Sequence, residues 1–254
     1  VYNPVTQEIL YSTNENVERS IASITKVMTA VVFLENEFDF SRSVTIDPAD
    51  VRAASVTYLR RGDQLTIADL LHLTLIASDN AAARTLARVS PLGSQDFVVR
   101  MNAKAVELGL TNTHYADPSG LDSNNVSSAL DMARLIAFAA SDERIGPVMQ
   151  KQTYSIVTKR RTITVHSTNQ LLGSEVDVRG GKTGFIRKSG YCLAALLKLP
   201  SSDPIAVVVL GAKSSAARFW ETRHLFNWLA SKTSPVVATA SHVPVNPVSV
   251  YDVA

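Results

Sequence analysis

Two residues near the N-terminus are spaced so that they could activate a hydroxyl group. Ser23 and Lys26 stand three positions apart where a helix is predicted to begin, so both lie on one face of it. A serine hydroxyl is a poor nucleophile until a base takes its proton, and a lysine can be that base when burial keeps it partly neutral. The N-terminal N–H groups of a helix also favour a developing oxyanion. The pair therefore predicts acyl transfer through Ser23.

Two later segments could complete such a site, and each has an ordinary structural explanation. Ser78-Asp79-Asn80 falls between two predicted helices, where it could simply cap the second. Lys182-Thr183-Gly184 precedes an apolar strand, where it could be a turn. Ser23-Ile24-Thr25-Lys26 alone could be a solvated helix start, but its apolar neighbours indicate a buried lysine, which is costly without a role.

The order and context of the three segments favour the functional interpretation. S-x-x-K opens a helix, S-D-N lies in a loop and K-T-G begins a strand. Together these motifs are a known signature of class A β-lactamases and penicillin-binding proteins. Over about residues 1–230 the chain resembles the low-molecular-mass penicillin-binding proteins, serine D-alanyl-D-alanine carboxypeptidases and endopeptidases of peptidoglycan. The similarity extends to residues 21–30, 101–110, 117–122 and 125–129.

The resemblance implies a role for each catalytic position. Ser23 would be the acylated nucleophile and Lys26 its general base. Ser78 would relay a proton to the leaving amine, and Asn80 would bond the substrate backbone or Lys26. The target would be the D-Ala-D-Ala end of a stem peptide or a D-Ala cross-link, and β-lactams would acylate the same serine.

The resemblance also implies a binding strand for the substrate. The implied substrate-binding residues are Lys182, Thr183, Gly184, Phe185 and Lys213. Lys182 and Thr183 would hold the terminal carboxylate, and the N–H groups of Ser23 and Phe185 would form the oxyanion hole. Lys213 lies nearest the place where some relatives carry an arginine, but a lysine lacks the two-pronged guanidinium geometry.

Hydrophobic periodicity predicts the elements that position these residues. Helices are predicted over 23–35, 67–77, 81–89, 94–108, 128–140 and 215–231. Strands are predicted over 153–158, 162–165, 176–178, 183–186, 191–199 and 205–210, and a hairpin around Asn3-Pro4. Because short turns connect the strands, the sheet should be antiparallel.

The predicted fold class is α/β, an antiparallel sheet flanked by helices with an all-helical subdomain, as in penicillin-binding protein transpeptidase and β-lactamase folds. The catalytic domain is predicted over 1–232, with the helical subdomain at about 40–150 and an extended tail or linker over 233–254. Ser128, followed three residues later by Asp131, predicts a capping box at the helix over 128–140.

Composition excludes several other functions. A net charge of +2 over 254 residues gives no indication of a nucleic-acid partner. The longest uncharged apolar runs are about eight residues, whereas a membrane span needs about 18, so we expect no span in this chain. The single cysteine, Cys192, is predicted to be a buried structural thiol. The five histidines lack metal-like spacing, and no metal or other cofactor is expected.

Two alternatives remain open at this point. A class A β-lactamase would need a glutamate between S-D-N and K-T-G, and the best candidate, Glu107, falls in the last turn of a predicted helix. A β-lactam-sensing domain would be acylated at Ser23 without turning over peptide. Because peptidoglycan lies outside the cytoplasmic membrane, the resemblance implies an exported bacterial protein, periplasmic or associated with the cell wall. We therefore expect the N-terminus at Val1 to be a processed or trimmed one.

Overall fold

A computed structural model describes residues 1–36, 39–158, 161–201 and 203–233. Its helices are α1 (Thr25–Phe33), α2 (Pro48–Val51), α3 (Ile67–His72), α4 (Asn80–Val89), α5 (Gly93–Glu107), α6 (Ala129–Ala140), α7 (Gly146–Met149) and α8 (Ser215–Thr233). Its strands are β1 (Arg19–Ser20), β2 (Ser43–Thr45), β3 (Gln64–Thr66), β4 (Val126–Ser127), β5 (Thr153–Val157), β6 (Thr162–His166), β7 (Asp177–Ile186), β8 (Gly190–Lys198) and β9 (Pro204–Ala212).

The central sheet is antiparallel in the order β7-β8-β9. Strand β8 is apolar on both faces because both faces are covered. Leu193 and Leu197 pack in a cluster with Phe219 of α8, whereas Ala194 and Leu196 lie in the larger core on the opposite face. The sheet is thus flanked by helices, and the predicted α/β class with an antiparallel sheet is confirmed.

The N-terminal segment folds back on itself and then joins the sheet. Tyr2 bridges Ile9 in antiparallel fashion, as the predicted hairpin requires, although neither side extends into a regular strand. Tyr2 also exchanges backbone hydrogen bonds of 2.9 and 2.8 Å with Ala206 of β9. The start of the chain is therefore attached to the side of the sheet away from β7.

Helix α1 runs through the centre of the molecule. A 3-10 turn at Ala22–Ile24 leads into it, and all of its residues from Thr25 to Phe33 are buried. Its neighbours include α4, α5 and α6, which surround it with apolar side chains. The single charged residue of α1, Lys26, is therefore held inside the protein by the packing of its own helix.

Two local predictions were wrong in detail, and one predicted helix has an irregular end. The predicted strands 176–178 and 183–186 are one strand, β7, because the ladder continues through the glycine pair after a bulge between Val178 and Gly180. The helix predicted over 67–77 is present, as α3 followed by a π-helical turn, Leu73–Ala77. Ser128 does accept a hydrogen bond from the N–H of Asp131, but the Asp131 carboxylate accepts from Asn112 and Thr113 instead of completing a capping box.

Some predictions concern features that the structure does not test. Residues 159–160, which connect the strands predicted over 153–158 and 162–165, lie outside the described residues. Of the tail or linker predicted over 233–254, only Thr233 is described, and it is the last residue of α8. The division into a catalytic domain over 1–232 and a helical subdomain at about 40–150 stays a prediction. Within the described ranges, no helix combines the length and apolar character that crossing a bilayer requires.

Candidate active site

Ser23 and Lys26 form the centre of the site. The Nζ atom of Lys26 lies 2.9 Å from the Oγ atom of Ser23 and 2.6 Å from Oδ1 of Asn80. It also donates to the backbone carbonyl of Ser119. Ser23 is partly exposed, whereas the Lys26 side chain is fully buried. The amine is therefore fixed from three sides, with a hydroxyl that solvent and substrate can reach.

Burial gives Lys26 the basicity that a general base needs near neutral pH. Desolvation lowers the pKa of Lys26 from 10.5 to about 7, although the charges of Asp117 and Asp79 act in the opposite direction. A group with this pKa is about half neutral near pH 7, and a general base works best when its pKa lies near the working pH. The amine can therefore accept the proton of Ser23 at physiological pH.

The Ser78-Asp79-Asn80 segment has both of the roles that its sequence suggested. Asp79 caps α4 by accepting from the N–H of Ala82 at 2.9 Å, which is the structural role. Ser78 adopts a left-handed backbone conformation, with φ 60° and ψ 34°, between the π-helical turn and α4. The side-chain carbonyl of Asn80 accepts from Lys26, and its amide nitrogen donates to the carbonyl of Ala54 at 2.7 Å. Of the two partners expected for Asn80, the structure shows Lys26.

Strand β7 brings Lys182 to the same place. Its Nζ atom donates to Oγ of Ser78 at 2.7 Å and to the carbonyl of Thr183 at 2.9 Å. The Thr183 hydroxyl donates to the hydroxyl of Thr168 at 2.6 Å, a neighbour that the sequence did not indicate. Desolvation lowers the pKa of Lys182, and the nearby charges of Lys26 and Arg218 lower it further. Lys182 thus contacts Ser78, and Lys26 contacts Asn80 in the same segment.

Gly184 allows β7 to approach the nucleophile closely. A Cβ atom at this position would lie 2.6 Å from the carbonyl oxygen of Ile21 and 3.2 Å from the backbone nitrogen of Ser23. Any side chain would therefore push the strand away from Ser23. The next residue, Phe185, is half exposed and stacks on Tyr191 with ring centroids 4.2 Å apart.

Lys213 is not brought into this group. It is exposed just after β9, and within the described part of the chain its ammonium has no hydrogen bond or ion pair. The sequence pointed to Lys213 and missed Arg218, which is buried on α8 and donates to the carbonyls of Gly184 and Cys192 at 3.1 and 3.3 Å. An arginine between apolar residues of the last helix was the signal that could have indicated it. The role predicted for Lys213 stays a prediction.

Other residues that the sequence singled out lie away from the site. Cys192 is buried and free, as predicted, and burial raises the pKa of its thiol. Glu107, the candidate glutamate of a β-lactamase, is half exposed at the end of α5, where its carboxylate pairs with Arg100 and Lys104. Among the described residues, no three His, Cys, Asp or Glu side chains are grouped as a metal site would require.

A serine next to a buried lysine, facing a lysine-bearing edge of an antiparallel sheet, defines a penicillin-binding type of serine enzyme. Comparisons with known proteins agree. A family model described as D-alanyl-D-alanine carboxypeptidase, peptidase family S11, matches residues 1–214. The chain belongs to this family and is a serine-type D,D-peptidase.

Individual relatives are similar over most of the chain. The D-alanyl-D-alanine endopeptidase of Pseudomonas aeruginosa is 32% identical over 242 residues, which cover 93% of this chain and 77% of the relative. The Streptomyces K15 DD-transpeptidase has a TM-score of 0.83 and 31% identity, covering 89% of this chain and 93% of that one. Penicillin-binding protein D2 from Listeria monocytogenes, in a cefotaxime-bound form, has a TM-score of 0.79 and 30% identity, covering 89% and 93%.

Proposed function

We propose that this protein hydrolyses peptide bonds formed by D-alanine in peptidoglycan through an acyl-enzyme on Ser23. The observation that carries this proposal is the contact of Ser23 Oγ with a buried Lys26 amine, which Asn80 and the Ser119 carbonyl hold in place. A neutral Lys26 takes the proton of Ser23 as the oxygen attacks the carbonyl carbon of the D-alanine residue before the scissile bond. The N–H groups of Ser23 and Phe185 stabilise the oxyanion, and each such donor is typically worth about 3 to 4 kcal/mol.

The leaving amine needs a proton when the C–N bond breaks, and this is the proton that Lys26 took from Ser23, so Lys26 becomes neutral again. Ser78 is suited to relay it, because its hydroxyl is hydrogen-bonded to Lys182 at 2.7 Å and stands in a loop beside Asn80, which accepts from Lys26. Water then attacks the ester carbonyl, and Lys26 takes the proton of that water and returns it to the Ser23 oxygen as the ester bond breaks. Donors and acceptors for both steps thus lie around one serine.

Lys182 and Thr183 are proposed to bind the terminal carboxylate of the substrate. Burial lowers the pKa of Lys182, and the nearby positive charges of Lys26 and Arg218 lower it further. A substrate carboxylate beside Lys182 would offset these effects and hold Lys182 in its protonated form. The same contacts would receive the carboxylate of a β-lactam, which places these antibiotics as covalent inhibitors at Ser23.

Two D-alanine bonds are candidates, the terminal D-Ala-D-Ala bond of a stem peptide and the D-Ala cross-link between two stems. The family description names the carboxypeptidase, whereas the relative from P. aeruginosa is an endopeptidase. Both reactions use the same acyl-enzyme and differ in the amine that leaves. Because the substrate lies in the cell wall, we propose that the protein acts after export, in the periplasm or at the wall.

Two substrates test this proposal. The purified protein is incubated with a linear stem pentapeptide ending in D-Ala-D-Ala, with release of D-alanine measured, and with a cross-linked muropeptide dimer, with monomers measured by mass spectrometry. Hydrolysis of either substrate by wild type, and of neither by Ser23→Ala, is the expected result. Acylation by a β-lactam without turnover of either peptide would overturn the peptidase assignment and favour a sensing domain.

A further inference from the structure

The loop that follows α5 carries a carboxylate with an unusual number of hydrogen bonds. Oδ2 of Asp117 accepts from the N–H of Ser119 at 3.0 Å and from its hydroxyl. Oδ1 accepts from the N–H of Gly120 at 2.9 Å, from the N–H of Asp122 at 3.3 Å and from the side-chain amide of Asn125. Asp117 therefore fixes the backbone of residues 117–122 from inside the turn.

The turn over residues 117–122 contacts α1 at two points and the 3-10 turn before it at a third. The carbonyl of Ser119 accepts from Nζ of Lys26. The carbonyl of Pro118 accepts from the hydroxyl of Thr29, on the same helix, at 2.6 Å. At Gly120, with φ +80°, a Cβ atom would lie 2.1 Å from the carbonyl oxygen of Ala22, the residue before Ser23. The turn thus packs against both the nucleophile segment and its base.

We propose that Asp117 is a positioning residue for the reaction: it holds the Ser119 carbonyl that aims Lys26 at Ser23, and it places a negative charge near the Lys26 amine. The proposal rests on the roles proposed above for Ser23 and Lys26. Residues 117–122 belong to the part of the chain that resembles the family in sequence.

The charges around Lys26 support an electrostatic effect of Asp117 on this amine. Desolvation lowers the pKa of Lys26, and Asp117 is the leading charge that raises it again. The other charged groups facing Lys26 are Asp79 and Arg84 from the S-D-N segment and α4, and Lys182 from β7. Without Asp117, a larger fraction of Lys26 would be neutral at low pH, but the amine would be a weaker base.

The substitution Asp117→Asn distinguishes an effect of the Asp117 charge on Lys26 from a purely structural role of this side chain. Asp117→Asn removes the charge, and its amide nitrogen cannot accept the hydrogen bonds that one carboxylate oxygen now accepts. Asp122→Asn is the matched control in the same loop, because the exposed Asp122 carboxylate accepts from the N–H of Asn124 at 2.8 Å and from no other group in the described part of the chain. It removes the same formal charge but leaves the Asp117 carboxylate and its hydrogen bonds to Ser119 in place.

The measurement is the rate of acylation by benzylpenicillin between pH 5 and 9 for wild type and both variants. For Asp117→Asn we expect the midpoint of the acid limb to move to lower pH, by on the order of one unit, and the plateau rate to fall several-fold. For Asp122→Asn we expect the midpoint of wild type. A rate for Asp117→Asn that is lower at every pH, with an unchanged midpoint, would overturn the electrostatic half of the proposal.

A second variant keeps the test decisive if Asp117→Asn does not fold. Ser119→Ala deletes one hydrogen bond to Asp117 but retains both the carboxylate charge and the carbonyl that contacts Lys26. We expect a lower plateau rate with no change of midpoint, and a wild-type plateau would overturn the positioning role. Failure of the underlying proposal would look different: wild type itself would then show no acid limb, or the penicilloyl group would lie on a residue other than Ser23.

Discussion

The ammonium of Lys182 donates to the hydroxyl of Ser78 at 2.7 Å, although the two residues are 104 positions apart in the chain. This contact joins the edge strand β7 to the loop that precedes α4, and Lys26 reaches the same loop through Asn80. The three motifs are therefore connected through two lysine side chains. Their chemistry depends on which of these lysines carries a proton.

The pH dependence of stability should report the burial of Lys26. Its folded pKa of about 7 lies below the unfolded value of 10.5, so the unfolded state binds more protons between these pH values. The free energy of unfolding then rises with pH across this range, by at most about 1.4 kcal/mol per pH unit. We expect Lys26→Met to be the more stable protein below pH 7, and its advantage to shrink between pH 7 and 9.

Chemical denaturation of wild type and Lys26→Met at several pH values checks this expectation. Lys182 is present in both proteins, so the difference between them reports the titration of Lys26 together with its effect on Lys182. The variant should also lose acylation by benzylpenicillin by a factor of about 100 to 10,000, as for removal of a general base. A stability difference that is constant from pH 6 to 9 would contradict a lowered pKa for Lys26.

Two substitutions at Ser78 separate its hydroxyl from its backbone conformation. Ser78→Ala and Ser78→Gly both remove the acceptor of Lys182, so we expect both to slow peptide turnover by about 10- to 100-fold. A left-handed backbone conformation with φ 60° is unfavourable for alanine but not for glycine. The free energy of unfolding of the glycine variant should therefore be higher, by up to about 1 kcal/mol. Turnover at the wild-type rate by Ser78→Gly would show that the hydroxyl is dispensable.

Gly120 and Gly109 form a matched pair for testing the close approach to Ala22. Both have positive φ, 80° and 66°, but a Cβ at Gly120 would collide with the Ala22 carbonyl, whereas one at Gly109 would meet no atom within 4 Å. Gly109→Ala should cost about 1 to 2 kcal/mol and leave acylation intact. Gly120→Ala should cost more and slow acylation, because the displaced residue precedes Ser23.

Thermal unfolding and penicillin acylation of the two glycine variants provide the comparison. Equal losses of stability with equal acylation rates would contradict the tight packing of the 117–122 turn against the nucleophile segment.

The sequence was informative where local pattern determines structure. The periodicity of α1 and the apolar character of β8 predicted buried elements, and the structure has both. By contrast, the continuity of β7 through its glycines could not be predicted, because glycine ends a strand pattern locally and only pairing with β8 shows that the ladder continues.

Within the site, motifs indicated side chains but not the groups that hold them. Arg218 donates to a backbone carbonyl of Gly184, which is distant in the chain, and Asp117 accepts from backbone N–H groups of its own turn. Contacts with backbone groups do not produce a sequence motif. Lys213, chosen by its position near the end of β9, faces solvent instead. The sequence could not show which of Lys213 and Arg218 is buried, because Arg218 is buried only by the packing of α8 on the sheet.

The central claim is that Ser23 is the nucleophile, and the mass of the intact protein after incubation with benzylpenicillin tests it most directly. We predict that wild type gains the mass of one penicilloyl group, that peptide mapping places this group on Ser23, and that Ser23→Ala gains nothing. An adduct that persists in Ser23→Ala, or no adduct on folded wild type, would contradict the mechanism.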